Sequence, residues 1–86
     1  MPNVMQPLSD LMVADLAARA AHYQQQADGA RTYLQARGLS AATCAAARLG
    51  YVGDPYPGDE RYQGCLVIPH MNMDGVTTGI RFRRLN

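Results

Sequence analysis

A chain of 86 residues, 48% of them apolar, has material for one small domain, in which folding buries about 60–65% of the surface the unfolded chain exposes. Eight arginines stand against seven acids for a net charge of +1, which excludes a strongly charged disordered tail and names no partner. No apolar run reaches membrane-spanning length and no charged leader with an apolar centre opens the sequence, so a cytoplasmic location with no membrane partner is expected.

Residues 1–7 carry two prolines and no periodicity and are expected to form a loose arm. Ser9 or Asp10 can cap a helix whose apolar positions Met12, Leu16, Ala20, Tyr23 and Ala27 recur at three- and four-residue steps. Gln24, Gln25 and Gln26 are its expected solvated end. Asp28-Gly29 breaks the pattern, and Asp28 is placed to cap a second helix over 30–37 with Ala30, Tyr33 and Leu34 inward. Gly38 then stands where helices end in a left-handed residue, with Leu39 folding back on the last turn. Ser40 starts a third helix over 41–48, closed by Gly50.

Tyr51-Val52 reads as a short strand entering a loop over 53–63, whose turn residues mark a surface connection and whose tyrosines clamp it to the core. Residues 65–69 are apolar on both faces, which suits a strand covered on two sides. Asp74-Gly75 then forms the turn of a β-hairpin, since Gly tolerates the positive φ that such turns require. In the returning strand, period-two alternation assigns Val76, Thr78, Ile80 and Phe82 to a core face and Thr77, Gly79, Arg81 and Arg83 to a basic one. The expected fold class is α+β, with two or three short helices packed on a small antiparallel sheet. It forms a single domain over 1–86, helical over 9–50 and hairpin over 64–85.

Chemistry-bearing motifs are sparse. There is no phosphate-binding glycine loop, no Cys-x-x-Cys and no His-x-x-x-His; His22, His70, Cys44 and Cys65 fall on four different elements without metal-ligand spacing. Cys44 lies in an alanine-rich helical pattern and Cys65 in an apolar strand. Buried reduced thiols are expected, with one bridge between them as the alternative. The acids are scattered as caps, turns and loop residues, so a catalytic carboxylate pair has little support.

The arginines carry more. No lysine occurs anywhere, as a GC-rich coding sequence or a preference for planar bidentate donors would produce. After Asp74 no acid follows, whereas Arg81, Arg83 and Arg84 do. Arg81 and Arg83 on one strand face stand about 7 Å apart, a phosphate step along an extended single strand, and Gly79 on that face leaves room for a backbone to approach. A solvated basic edge is the alternative reading. Arg61 and Tyr62 are rim candidates, because a base can stack on tyrosine. The cadence Gly38-Leu39-Ser40-x-x-Thr43 also suits a helix-turn-helix, but Ala41, Ala42, Cys44, Ala45, Ala46 and Ala47 offer almost no donors to base edges.

The run Ala30-Arg31-Thr32-Tyr33-Leu34-Gln35-Ala36-Arg37-Gly38-Leu39-Ser40-Ala41-Ala42-Thr43, continuing through Arg48-Leu49-Gly50-Tyr51, resembles the start of the RNA-polymerase core of bacterial and phage DNA primases. The later Gly64-x-Leu66-Val67-Ile68-Pro69, Asp74-Gly75-Val76 and Gly79-Ile80-Arg81-Phe82-Arg83-x-Leu85 resembles the hairpin that leads into their Toprim domain. The likeness runs from residue 30 to the end and is greatest to actinobacteriophage versions, which would place the protein in a host cytoplasm.

The resemblance implies a segment lining the path of single-stranded DNA template during RNA primer synthesis. Arg83 falls at the family's basic-motif arginine, while Arg81 replaces what is commonly a glycine. It further implies that the catalytic acids and their magnesium belong to a Toprim part beginning beyond Asn86, leaving this segment without a cofactor or a catalytic residue of its own. The implied partners are the template, that Toprim part, a helicase or host protein, and a second copy if apolar surface is left bare. Two rival readings stay open: a stand-alone phage protein that binds a host protein, and a helix-turn-helix regulator.

Overall fold

The computed structural model describes residues 9–85; the arm expected over residues 1–7 lies outside them. Ser9 begins the first helix, α1 (Asp10–Gln24), its side chain accepting from the Met12 amide at 3.1 Å. Of the expected stripe, Ala20 and Tyr23 are buried and Leu16 half-buried. The amino-terminal end is uncovered, with Leu11 83% and Met12 53% exposed, because the rest of the protein packs only against the later turns.

A 3-10 turn (Ala27–Ala30) leads into α2 (Arg31–Ala36). Asp28 does not cap α2 as expected: it lies within the 3-10 turn and pairs with Arg31. Ala30 and Leu34 are buried and Tyr33 half-buried, as their spacing predicts. Gly38 is left-handed, with φ +79°, and the amides of Gly38 and Leu39 donate to the carbonyls of Gln35 and Leu34 at 2.9 and 3.1 Å. These are the paired bonds of a Schellman ending.

Ser40 caps α3 (Ala41–Ala46) through the Thr43 amide. This helix stops earlier than its expected end at 48. The Arg48 and Leu49 amides donate to Ala45 and Cys44, a second Schellman pair, with Arg48 itself left-handed at φ 55°. Gly50 instead opens β1 (Gly50–Tyr51), where a Cβ would lie 2.6 Å from the Tyr23 backbone. Helix and strand approach too closely there for any side chain.

β2 (Leu66–Met71) and β3 (Thr77–Arg83) complete an antiparallel sheet in the order β1-β2-β3. Central β2 is buried on both sides. Val67, with Cys65, Val52 and Tyr23, forms a cluster under α1, against which Ile80 and Phe82 pack. Leu66 points the other way, into a cluster with Ala30 and Leu34 that Ile68, Leu49 and Cys44 flank. Cys44 and Cys65 are free thiols on opposite faces.

The hairpin turn is larger than Asp-Gly alone. Asn72 Oδ1 accepts from the Asp74 and Val76 amides, and the left-handed Gly75 donates its amide to the Asn72 carbonyl. The alternation expected for β3 holds from Gly79 onward and fails before it. His70 pairs with Gly79 but Met71 with Thr77, so Thr78 is an extra residue, a β-bulge that reverses the facing of what precedes it. Thr77 is therefore buried at 5% exposure, whereas Val76 and Thr78 are exposed.

Two substitutions separate the covered from the uncovered regions. Gly50→Ala is expected to destabilise the fold by about 1–3 kcal/mol through overpacking against Tyr23, whereas Met12→Gln should change stability by no more than about 0.5 kcal/mol. Urea unfolding midpoints measure both.

Candidate nucleic-acid interface

β3 is an edge strand, and its register decides where the arginines go. Arg81 pairs with Ile68 and Arg83 with Leu66, so both guanidinium groups leave the sheet on the side that α2 partly covers. Both residues are exposed. The ion pairs found among the described residues join Arg19 to Asp15 and Asp59 and Arg31 to Asp28, and use neither of them. Gly79 shares their face, and a Cβ there would meet only the edge of His70 at 3.9 Å. The expected pair of cations on one face, with a low approach beside it, is thus present.

The other three candidates lie around the opposite side of the same strand end. Arg84 Nη2 donates to the Arg61 carbonyl at 3.2 Å, and the Arg61 guanidinium lies over the Tyr62 ring, 4.8 Å from its centroid. Tyr62 in turn stacks on Phe82, with centroids 4.1 Å apart and planes 4° from parallel. A base arriving here would meet a tier of arginine, tyrosine and phenylalanine rather than a bare ring. The five residues therefore wrap the end of β3, with Arg81 and Arg83 on one face and Arg84, Arg61 and Tyr62 on the other.

The loop that carries Arg61 and Tyr62 is locked down by a buried polar network. Asp59 is 6% exposed. Its two carboxylate oxygens each accept from Arg19 Nη2 at 2.9 Å, and one also accepts the Tyr23 hydroxyl. Tyr23 Oη accepts in turn from the Tyr56 amide at 2.9 Å, and the Asp59 carbonyl from the Tyr62 amide at 2.8 Å. Burial, followed by the bond to Asp59, pushes the Tyr23 phenol up to about 12.

Gln26, expected to be solvated, is a second clamp. Its Oε1 accepts from the Asp54 amide at 2.6 Å, while His22 Nε2 donates to the Asp54 carbonyl at 2.7 Å. No buried side-chain polar atom among the described residues lacks a partner. Of the two tyrosines in the loop over 53–63, Tyr56 packs against the core and Tyr62 covers Phe82.

Two further arginines make defined contacts, Arg37 beside Arg83 and Arg48 at the hairpin turn. Arg37 stacks over Tyr33 at 4.8 Å and lines a hollow together with Arg83. Its four-residue spacing from Tyr33 on a helix was the available signal. Arg48 Nη1 donates to the Gly75 carbonyl at 3.0 Å, tying the end of α3 to the hairpin turn; nothing in the sequence connects those two positions. None of the described helices is long and apolar enough to cross a membrane. Comparison with known proteins finds no matching family model, curated protein or solved structure.

The phenol of Tyr23 gives the network a pH signature. Because its folded value is raised above the ordinary 10, its proton contributes stability that is complete below pH 10 and lost as pH rises through about 12. The expected loss is about 3 kcal/mol, at roughly 1.4 kcal/mol for each pH unit of difference. Tyr23→Phe should flatten the stability profile across that window, as denaturation at a series of alkaline pH values would reveal.

Proposed function

We propose that this chain is the template-binding front segment of a Toprim-type DNA primase of the phage kind, holding single-stranded DNA for a catalytic part carried elsewhere. The observation that carries the reading is the pair Arg81 and Arg83, exposed on one face of an edge strand and free of the ion pairs found among the described residues. A guanidinium takes a phosphate through two parallel hydrogen bonds, and two of them at a strand spacing suit successive phosphates. Arg84 carries positive charge around the strand end onto the opposite face, where it also donates to the Arg61 carbonyl.

Arg61 and Tyr62 supply a flat surface at its margin, where sequence-independent stacking is worth about 1–3 kcal/mol per base. In this reading the chain binds and orients the template and takes no part in bond making. The motifs that resemble the primase core give the same assignment from the sequence side.

A duplex-reading regulator has less to work with. The exposed residues of α3 are alanines apart from Thr43, and Thr43 already receives a bond from Ser40.

Salt dependence tests the template reading. Three phosphate contacts, from Arg81, Arg83 and Arg84, predict a log-log slope of affinity on salt of roughly −2 for oligo-dT, at about −0.7 per contact. The Arg81→Ala/Arg83→Ala double variant should bind more weakly at low salt, with a slope near −0.7. An unchanged affinity and slope in the double variant would refute the assignment, and tighter binding to duplex would favour the regulator.

A further inference from the structure

The face that carries Arg81 and Arg83 is incompletely covered. Between α2 and the sheet lies a hollow of about 390 Å³, within the range of sites that hold a ligand or an anchoring side chain. Its walls are aliphatic: Leu34, Leu39 and Leu49 from the helical side, Leu66 and Ile68 from β2. Leu39 is 37% exposed because the Schellman bond from its amide to Leu34 fixes its backbone at the mouth. A second hollow of about 290 Å³ shares Leu34, Leu39 and Leu49 and continues to Cys44 and Ala45 of α3. The two meet at Leu39 in one trough, the larger part walled by leucines and the smaller also lined by Gln24, Asp28, Arg31 and Gln35.

The rim of the larger hollow is charged with one sign. Arg37 and Arg83 both line it, and no carboxylate does. Arg37 is held in place by its stacking on Tyr33. We propose that this trough, walled by leucines and rimmed by Arg37 and Arg83, docks an acidic peptide segment of a partner protein that inserts a bulky apolar side chain.

Charge and chemistry choose this occupant over the others. A nucleic-acid base would find branched aliphatic walls whose only side-chain hydrogen-bonding groups are the rim guanidiniums and the Tyr33 hydroxyl, and the one aromatic ring, Tyr33, already carries Arg37. A second copy seated symmetrically would set one arginine rim against another. An acidic segment instead pairs its carboxylates with two guanidinium groups through charge-assisted bonds while its apolar anchor fills the leucine hollow, the usual division of labour in a helix-in-groove contact. The proposal shares Arg83 with the template reading and differs from it in drawing on Arg37 and the leucines.

Panning short random peptides against the whole 86-residue protein, followed by fluorescence anisotropy with the enriched peptide, tests it. The expected consensus places Asp or Glu on both sides of a Leu, Ile, Met, Phe or Trp. Binding should weaken roughly tenfold in Arg37→Glu and recover when lysine replaces the peptide's acids. Leu39→Ser should also weaken it, with thermal melts establishing that both variants fold. A basic consensus, no consensus, or equal binding by Arg37→Glu would overturn the proposal. So would methyl resonances of Leu34, Leu39 and Leu49 that move with oligo-dT or with protein concentration but not with the peptide, since those outcomes assign the trough to nucleic acid or to self-association. Oligo-dT affinity of Arg81→Ala, read separately, reports on the template site alone.

Discussion

The fold depends on β2 being buried on both sides. Leu66 and Val67 are adjacent, point to opposite faces and are both sealed from solvent. A strand of this kind needs cover above and below, and so small a chain can provide it only by dividing its helices. α1 takes one face through Tyr23, while the 3-10 turn, α2 and the flank of α3 take the other through Ala30, Leu34 and Cys44. β1 contributes two residues at one edge, leaving β3 as the long exposed edge. Arg81 and Arg83 inherit their direction from their pairing partners Ile68 and Leu66, and Phe82 from Val67. The same register that closes the core under α1 therefore turns two cations toward the less covered face.

The face under α1 is not sealed by apolar contact alone. The loop after β1 lies over the Tyr23 cluster and is held by Asp59, whose carboxylate is buried but bonded to Arg19 and Tyr23 together. Removing a charge pair from water is costly unless the remaining lone pairs find donors, and here the tyrosine hydroxyl and the paired guanidinium bonds provide them. The arrangement joins helix, loop and sheet at one point, since Tyr23 also meets Phe82 edge-on with centroids 6.0 Å apart. It also sets the stacked tier of Arg61, Tyr62 and Phe82, whose position depends on a loop that apolar burial alone would leave free to shift.

Much of this was legible in the residues. Helical spacing identified Ala30 and Leu34, Gly38-Leu39 announced the end of α2, and the unbroken apolar run of β2 implied cover on two sides. Period two was enough to put Arg81 and Arg83 on one face. It failed at Thr77 and Thr78 because alternation presumes one residue for one, and a bulge leaves no mark in composition. The end of α3 was hidden because Arg48, rather than a glycine, takes the left-handed position, held by its bond to Gly75. Asp59 read as a loop acid because its partners Arg19 and Tyr23 lie about forty positions upstream, beyond the reach of any local pattern. Gln26 and Arg37 were passed over for a related reason: each works through a contact that exists only once the neighbouring elements are in place.

The claim on which the rest stands is the pairing of β3 with β2, bulge included. Interstrand nuclear Overhauser effects measure it without any ligand. The account predicts contacts from Arg81 to Ile68, from Arg83 to Leu66 and from Phe82 to Val67, with the Thr77 methyl in the core beneath α1 and the Thr78 methyl in solvent. Contacts placing Thr78 in the core with Thr77 outside, or Arg81 and Arg83 on the side of Tyr23, would contradict it.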